Sequence, residues 1–149
     1  MKNVAVLALF LAVSIGGGFF MGISNPPGAW YAGLNQPWFQ PPNWLFGPAW
    51  TILYVCIGFA GWRVWRAGLK PALLLWTLQM AFNLSWSLVF FGLHFILAGL
   101  LVLIGMLAAI LAFITVTWRG DRPAALLFLP YAAWVSFAGL LNGAIWWLN

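Results

Sequence analysis

Five stretches, 4–23, 45–65, 72–93, 95–117 and 125–148, are mostly apolar. Each is long enough to cross the hydrocarbon core of a bilayer as an α-helix, which takes about 20 residues. A soluble reading fails. With 65% hydrophobic and only 5% charged residues, a domain of this size lacks the polar side chains needed to cover its surface. In lipid every backbone polar group must be satisfied within its own segment, so runs of this kind fold as helices. The expectation is an all-α membrane protein, a single domain over residues 1–149 built as a five-helix transmembrane bundle. Lys2 ahead of the first stretch resembles the start of a signal peptide, but the apolar run exceeds the roughly 7–15 residues of a signal core. No persuasive small-x-small cleavage site precedes Pro26, so the stretch reads as a span.

Charge then gives the orientation. Five spans place Lys2, Arg63, Arg66, Lys70, Arg119 and Arg122 on one side, while the opposite side carries no Lys or Arg. The positive-inside rule makes the N-terminus cytoplasmic and puts the first loop and the C-terminus across the membrane. Arg63, Arg66 and Lys70 read as anchors to anionic lipid. Six cations scattered over three short segments do not form a phosphate-tracking patch, so nucleic acid is not an expected partner. Cys56 stands alone and can form neither an intramolecular disulfide nor a cysteine-based metal site.

The loop over 24–44 is the least ordinary part of the chain. From Trp30 it continues as WYAGLNQPWFQPPNWLFGPAW, rich in tryptophan and proline and free of charge. Proline fixes its own backbone and disfavours helix in the residue before it, so Gln36-Pro37 and Gln40-Pro41-Pro42 cannot continue a regular helix. Indole rings have large apolar faces and one polar N–H, which suits a membrane–water boundary or stacking on a flat ligand. The loop reads as a stiff aromatic lid.

Below the lid, three helices carry stripes suited to a ligand wall. The second lines up Phe46, Trp50 and Tyr54; the third Gln79, Asn83 and Trp86, extended by Phe90; the fifth Tyr131, Trp134, Ala138 and Asn142. Amides in hydrocarbon need hydrogen-bond partners, so Gln79 and Asn83 must face other helices or a polar ligand. Small residues four apart, Ser14, Gly18 and Gly22 in the first helix and Gly105, Ala109 with Ala108, Ala112 in the fourth, mark close helix contacts within the bundle or in a dimer. The fourth helix reads as facing lipid or a partner. His94 sits in a tight interfacial turn, where solvation is the plain reading and haem ligation the alternative. No membrane-embedded carboxylate is present to drive proton-coupled transport. The stripes and loop point to a ring-rich cavity for a flat apolar ligand with polar edges, and to no metal.

The segments WYAGLNQPWFQPPNWLFGPAWTILY, QMAFNLSWSLVFF and LLFLPYAAWVSFAGLLN resemble the TspO/MBR family of tryptophan-rich sensory and translocator proteins, in order and over the whole chain. The resemblance implies a homodimeric five-helix bundle that requires no cofactor and binds porphyrins such as protoporphyrin IX or haem, or benzodiazepine-type molecules, beneath its first loop. Carried over by motif, the implied ligand-binding residues are Trp30, Tyr31, Trp38, Pro41, Pro42, Trp44, Trp50, Asn83, Trp134 and Ala138. Some bacterial members resemble a light-dependent catalyst of protoporphyrin breakdown, for which Tyr31 and Trp134 are the matching residues here. Porphyrin transport is the other alternative. The tail LLNGAIWWLN lacks the Tyr followed by Arg or Lys of the sterol-recognition segment, so cholesterol is not an expected ligand.

Overall fold

A computed structural model describes residues 2–149. Five helices long and apolar enough to cross a membrane make up the bundle: α1 (Asn3–Ser24), α2 (Asn43–Arg66), α3 (Lys70–Gly92), α4 (Ile96–Gly120) and α5 (Arg122–Leu148). No strand occurs among the described residues. The protein is an integral multi-pass membrane protein, and the spans stand within a few residues of where apolar length puts them.

Local chemistry sets the ends of each helix. Pro26 and Pro27 stop α1, and the Asn25 side chain closes it by donating to the Met21 carbonyl at 3.1 Å. Gly68 makes the α2–α3 turn at φ 68°, a left-handed conformation that costs glycine nothing. Between α3 and α4 the same region is occupied by His94, at φ 62°. Asp121 serves three partners where α4 meets α5. Its Oδ1 accepts from Ala124 N at 3.1 Å, capping α5, and from Arg63 Nε at 2.9 Å, and its backbone N–H donates to Thr117 O.

The tightest packing lies toward the charged end. Ile57, Ala60, Val64, Ile110, Phe113 and Phe128 are completely buried there, and Phe113 stacks on Phe128 at 3.9 Å between centroids. Small residues allow this approach. A Cβ at Gly61 would come within 2.6 Å of the Phe10 and Trp76 rings, and one at Gly58 within 2.8 Å of Ser14 and Leu11.

Three sequence expectations change. α4 is not simply a lipid-facing or partner-facing helix: Leu103, Met106, Ile110 and Phe113 are buried between α3 and α5, while Leu97, Leu101 and Ile104 face out. An all-apolar helix gives no amphipathic signal, so its inner face is invisible in sequence. Its Gly105 packs on Phe82 and Ala109 is buried, which leaves only the Ala108 and Ala112 pair toward the surface. Arg63 pairs with Asp121 and is not a free lipid anchor, while Arg66 stays exposed with its guanidinium over the Trp62 ring at 4.7 Å. The lid also contains a helical turn, Ala29–Ala32, because the proline pairs lie on either side of it.

Candidate functional site

Beneath the lid the helices part around a cavity of about 420 Å³. That volume lies within the range of small-molecule sites, roughly 300–1,000 Å³. The α2 stripe enters it as the periodicity requires. Phe46, Trp50 and Tyr54 all line the void, with Trp50 and Tyr54 stacked 5.5 Å apart. From α3 come Asn83, Trp86 and Phe90, the two rings stacked at 5.5 Å. The last turn of α3 widens to a π-helix over Leu88–Gly92, and Phe91 lines the void beside Phe90. α5 supplies Ala138 and Asn142.

The floor is a chain of hydrogen bonds through three helices. Tyr54 Oη donates to Asn83 Oδ1 at 3.1 Å, Asn83 Nδ2 to Tyr131 Oη at 2.7 Å, and Tyr131 Oη to Gln79 Oε1 at 2.9 Å. Gln79 Nε2 then donates to Trp76 O, and Trp76 Nε1 to Ile57 O. Gln79 and Tyr131 are fully buried and do not reach the cavity. Each lies on the correct helix face but a turn or more too deep. Trp134 misses for a different reason. It lies one turn from Ala138, but the ring of Phe46 stands between it and the void. It packs behind Phe46, at 5.8 Å, and beside Phe137.

The lid residues divide in the same way. Tyr31 lines the cavity, its ring edge-on to Phe90 and Phe91 and its hydroxyl accepting from Gln40 Nε2 at 2.8 Å. Burial raises its pKa and the Gln40 hydrogen bond partly offsets this, so the phenol keeps its proton at neutral pH. Trp30 fastens the lid to α3, stacked on His94 at 4.1 Å and edge-on to Phe90. That stack occupies one face of the exposed His94 ring, which does not line the cavity. Trp38 and Trp44 point outward, 95% and 71% exposed, as rings of a membrane interface do. Pro41 and Pro42 shape the chain leading into α2, where Pro42 O accepts from Leu45 N. None of these four touches the cavity. At the far end of the lid, Asn35 N donates to Asn149 Oδ1 at 2.9 Å, and Asn149 Nδ2 returns a bond to Asn35 O at 3.0 Å.

Sequence reasoning missed one wall. Gly18, Met21 and Gly22 of α1 line the cavity, as do Asn25 and Ser87. The spacing of Ser14, Gly18 and Gly22 was the available signal, and it answers two questions. Ser14 Oγ donates to Tyr54 O at 2.9 Å and Gly18 lies against the Tyr54 ring, so those two join α1 to α2, while Gly22 is left beside the void. No Lys, Arg, His, Asp or Glu lines the cavity. Asn142 is engaged on both sides, accepting from Trp86 Nε1 at 3.4 Å and donating to Ile96 O at 2.8 Å. The chamber therefore offers ring faces, neutral dipoles and no group able to act as a general acid or base near neutral pH.

The TspO/MBR family model matches residues 5–148 of the chain. The tryptophan-rich protein TspO of Archaeoglobus fulgidus is 41% identical over 152 residues, spanning 100% of this chain and 97% of that protein. The human translocator protein is 38% identical over 127 residues, 78% of this chain and 73% of its own. A tryptophan-rich sensory protein of Cereibacter sphaeroides is 38% identical over 117 residues, 78% of this chain and 74% of its own.

Proposed function

The chain belongs to the TspO/MBR family, and from that premise we propose that it is a membrane sensory or regulatory protein that binds a tetrapyrrole, protoporphyrin IX or haem, beneath its first loop. One observation carries the reading: Trp50, Trp86, Phe90 and Tyr31 surround a single uncharged void. Flat macrocycles gain from offset and edge-on contacts with such rings, at about 0.5–1.5 kcal/mol per pair beyond the area buried. Tyr31 accepts from Gln40 and has its own O–H left to offer a guest. Other flat hydrophobic molecules, benzodiazepine-type ligands among them, suit the same walls. The proposal also includes a homodimer, with the Ala108 and Ala112 side of α4 its candidate face, and a cytoplasmic N-terminus.

The names of the relatives point both to sensing and to translocation. The floor favours the former. Below Asn83, Gln79 and Tyr131 are fully buried, and a transported macrocycle would have to break the hydrogen bonds that join three helices. Light-dependent porphyrin breakdown is the second reading, supported by the place of Tyr31 on the wall. There the phenol would give an electron and its proton to the light-excited porphyrin, leaving a tyrosyl radical, and oxygen, the terminal oxidant, would add to the resulting macrocycle radical and open it. Trp134 would act through Phe46.

Titration of the purified protein with protoporphyrin IX, in darkness and then under light, tests both readings. Binding predicts saturable tryptophan quenching in the dark, and absence of saturation would sink it. Breakdown predicts pigment loss under light that Tyr31→Phe slows more than Trp134→Phe. Equal loss in wild type and both variants removes the catalytic reading.

A further inference from the structure

α1 and α2 are pressed together toward the charged end and part beneath the lid. Phe10 lies against Gly61, Ser14 against Gly58 and Gly18 against Tyr54, and a Cβ at any of these glycines would collide with its neighbour. From Gly17 toward the lid, α1 leans on α3. A Cβ at Gly17 would sit 3.2 Å from Leu84, and Ser87 Oγ donates to Met21 O at 3.3 Å. Across the seam from α2, Gly22 and Gly47 each have open space where a Cβ would be, with nothing within 4 Å. Phe19, Gly22 and Ile23 of α1 and Asn43 and Gly47 of α2 line the cavity and are also exposed on the flank of the bundle. The void is thus open sideways. Counting from Ser24 down to Gly18, the gap descends about 9 Å at 1.5 Å per residue.

The lid is fastened away from this gap. Its Trp30 and Tyr31 dock on the end of α3, and Asn35 exchanges hydrogen bonds with Asn149 beyond α5. The covered face is the one toward water, and the open flank is the one toward lipid. The lining carries no charge, so an unpaired carboxylate buried there would be strongly disfavoured.

Resting on the ligand reading above, we propose that the cavity is filled sideways, from the lid-side leaflet of the bilayer through the gap between α1 and α2. What it admits is a flat molecule dissolved in the membrane, uncharged along the edge that goes in. Any carboxylates stay at the gap, level with the lipid headgroups. Gly22 and Gly47 keep the passage open.

The test follows binding of protoporphyrin IX dimethyl ester in nanodiscs by stopped-flow tryptophan quenching, in wild type, Gly22→Phe, Gly47→Phe and Asn149→Ala. Filling the gap should slow association and dissociation together by roughly tenfold or more, with a much smaller change in Kd. Loosening the lid with Asn149→Ala should leave both rates near wild type. Unchanged rates in both Phe variants, with faster rates in Asn149→Ala, would place the route through the lid and overturn the proposal. A Phe variant that instead fills the cavity loses affinity through dissociation alone, so a second measurement stands beside the first. In a Cys56→Ala background, Gly22→Cys should react with a bilayer-dissolved maleimide, and the ester should protect it. An unreactive Gly22→Cys overturns the open gap. A wild type that shows no saturable quenching, with Gly22→Cys still reactive, fails the ligand reading and leaves the gap standing.

Discussion

The two ends of this bundle are made from the same apolar alphabet and come out opposite. At the charged end glycine and alanine face neighbouring helices, and Ile57, Val64 and Phe128 close up without any exposure. At the lid end Trp50, Trp86 and Phe90 stand on the facing stripes and a void of about 420 Å³ remains. Helix separation follows the size of the side chains at the contact. Small residues draw backbones together; rings that stack on one another along their own helix, as Trp50 does on Tyr54 and Trp86 on Phe90, hold them apart. The hydrogen-bonded floor from Tyr54 to Gln79 is where one regime gives way to the other.

The largest effect should come from putting a side chain into the closed end. Gly61→Val would push against Phe10 and Trp76 and threaten the 2.8 Å bond from Trp76 Nε1 to Ile57 O. Overpacking and a lost buried partner together are worth about 3 kcal/mol or more, so its thermal midpoint should fall well below wild type. Gly22→Ala at the open end should melt with wild type, since its Cβ meets nothing within 4 Å. Similar losses in both variants would erase the contrast between the ends.

Next in size is the boundary itself. Asn83→Leu leaves the Tyr54 hydroxyl without its acceptor and the Tyr131 hydroxyl without its donor. Hydrogen bonds between membrane helices average below 1 kcal/mol but stranded buried groups cost more, which gives about 1–2 kcal/mol here. Porphyrin quenching should weaken in the same variant, because Asn83 also faces the void. A variant that keeps full stability would show that the floor adds nothing to cohesion.

How far the sequence reveals this follows from the kind of signal each part leaves. The spans are legible because apolar length alone specifies them, and Phe46, Trp50 and Tyr54 are legible because rings four apart share a helix face. Depth is not legible. Tyr131 and Gln79 sit on the correct faces but within the floor, below the cavity, since periodicity gives the angle around a helix and says nothing of where neighbouring helices diverge. The α1 wall was hidden because a glycine pressed on a neighbouring helix and a glycine facing open space read alike; Gly18, against the Tyr54 ring, and Gly22 are one of each. For the lid, tryptophan content did not separate Trp38 and Trp44, which face outward, from Tyr31, which lines the cavity.

Smaller still is the effect of narrowing the chamber while leaving the closed end alone. Ala138 lines the void from α5, and Ala138→Phe should place a ring where the guest would lie. Quenching titrations should give a Kd raised by roughly tenfold, about 1.4 kcal/mol, while the melting curve stays near wild type. A lower midpoint with unchanged affinity would mean that Ala138 belongs to the packed region and the void begins above it.

The smallest effect should arise at the charged end's only ion pair among the described residues, Arg63 with Asp121 at 2.9 Å. Asp121→Asn keeps a side-chain oxygen to cap α5 through Ala124 N, because asparagine caps about as well as aspartate. What it removes is the charge on a pair whose arginine is partly exposed, worth up to about 1 kcal/mol after solvent screening. The cohesion of that end comes from interlocked small residues and rings, so its midpoint should move far less than in Gly61→Val. If Asp121→Asn instead unfolds as readily as Gly61→Val, electrostatic pinning of α2 to the α4–α5 turn holds the charged end together, and the contrast between small-residue closure and ring-held opening describes only the lid half.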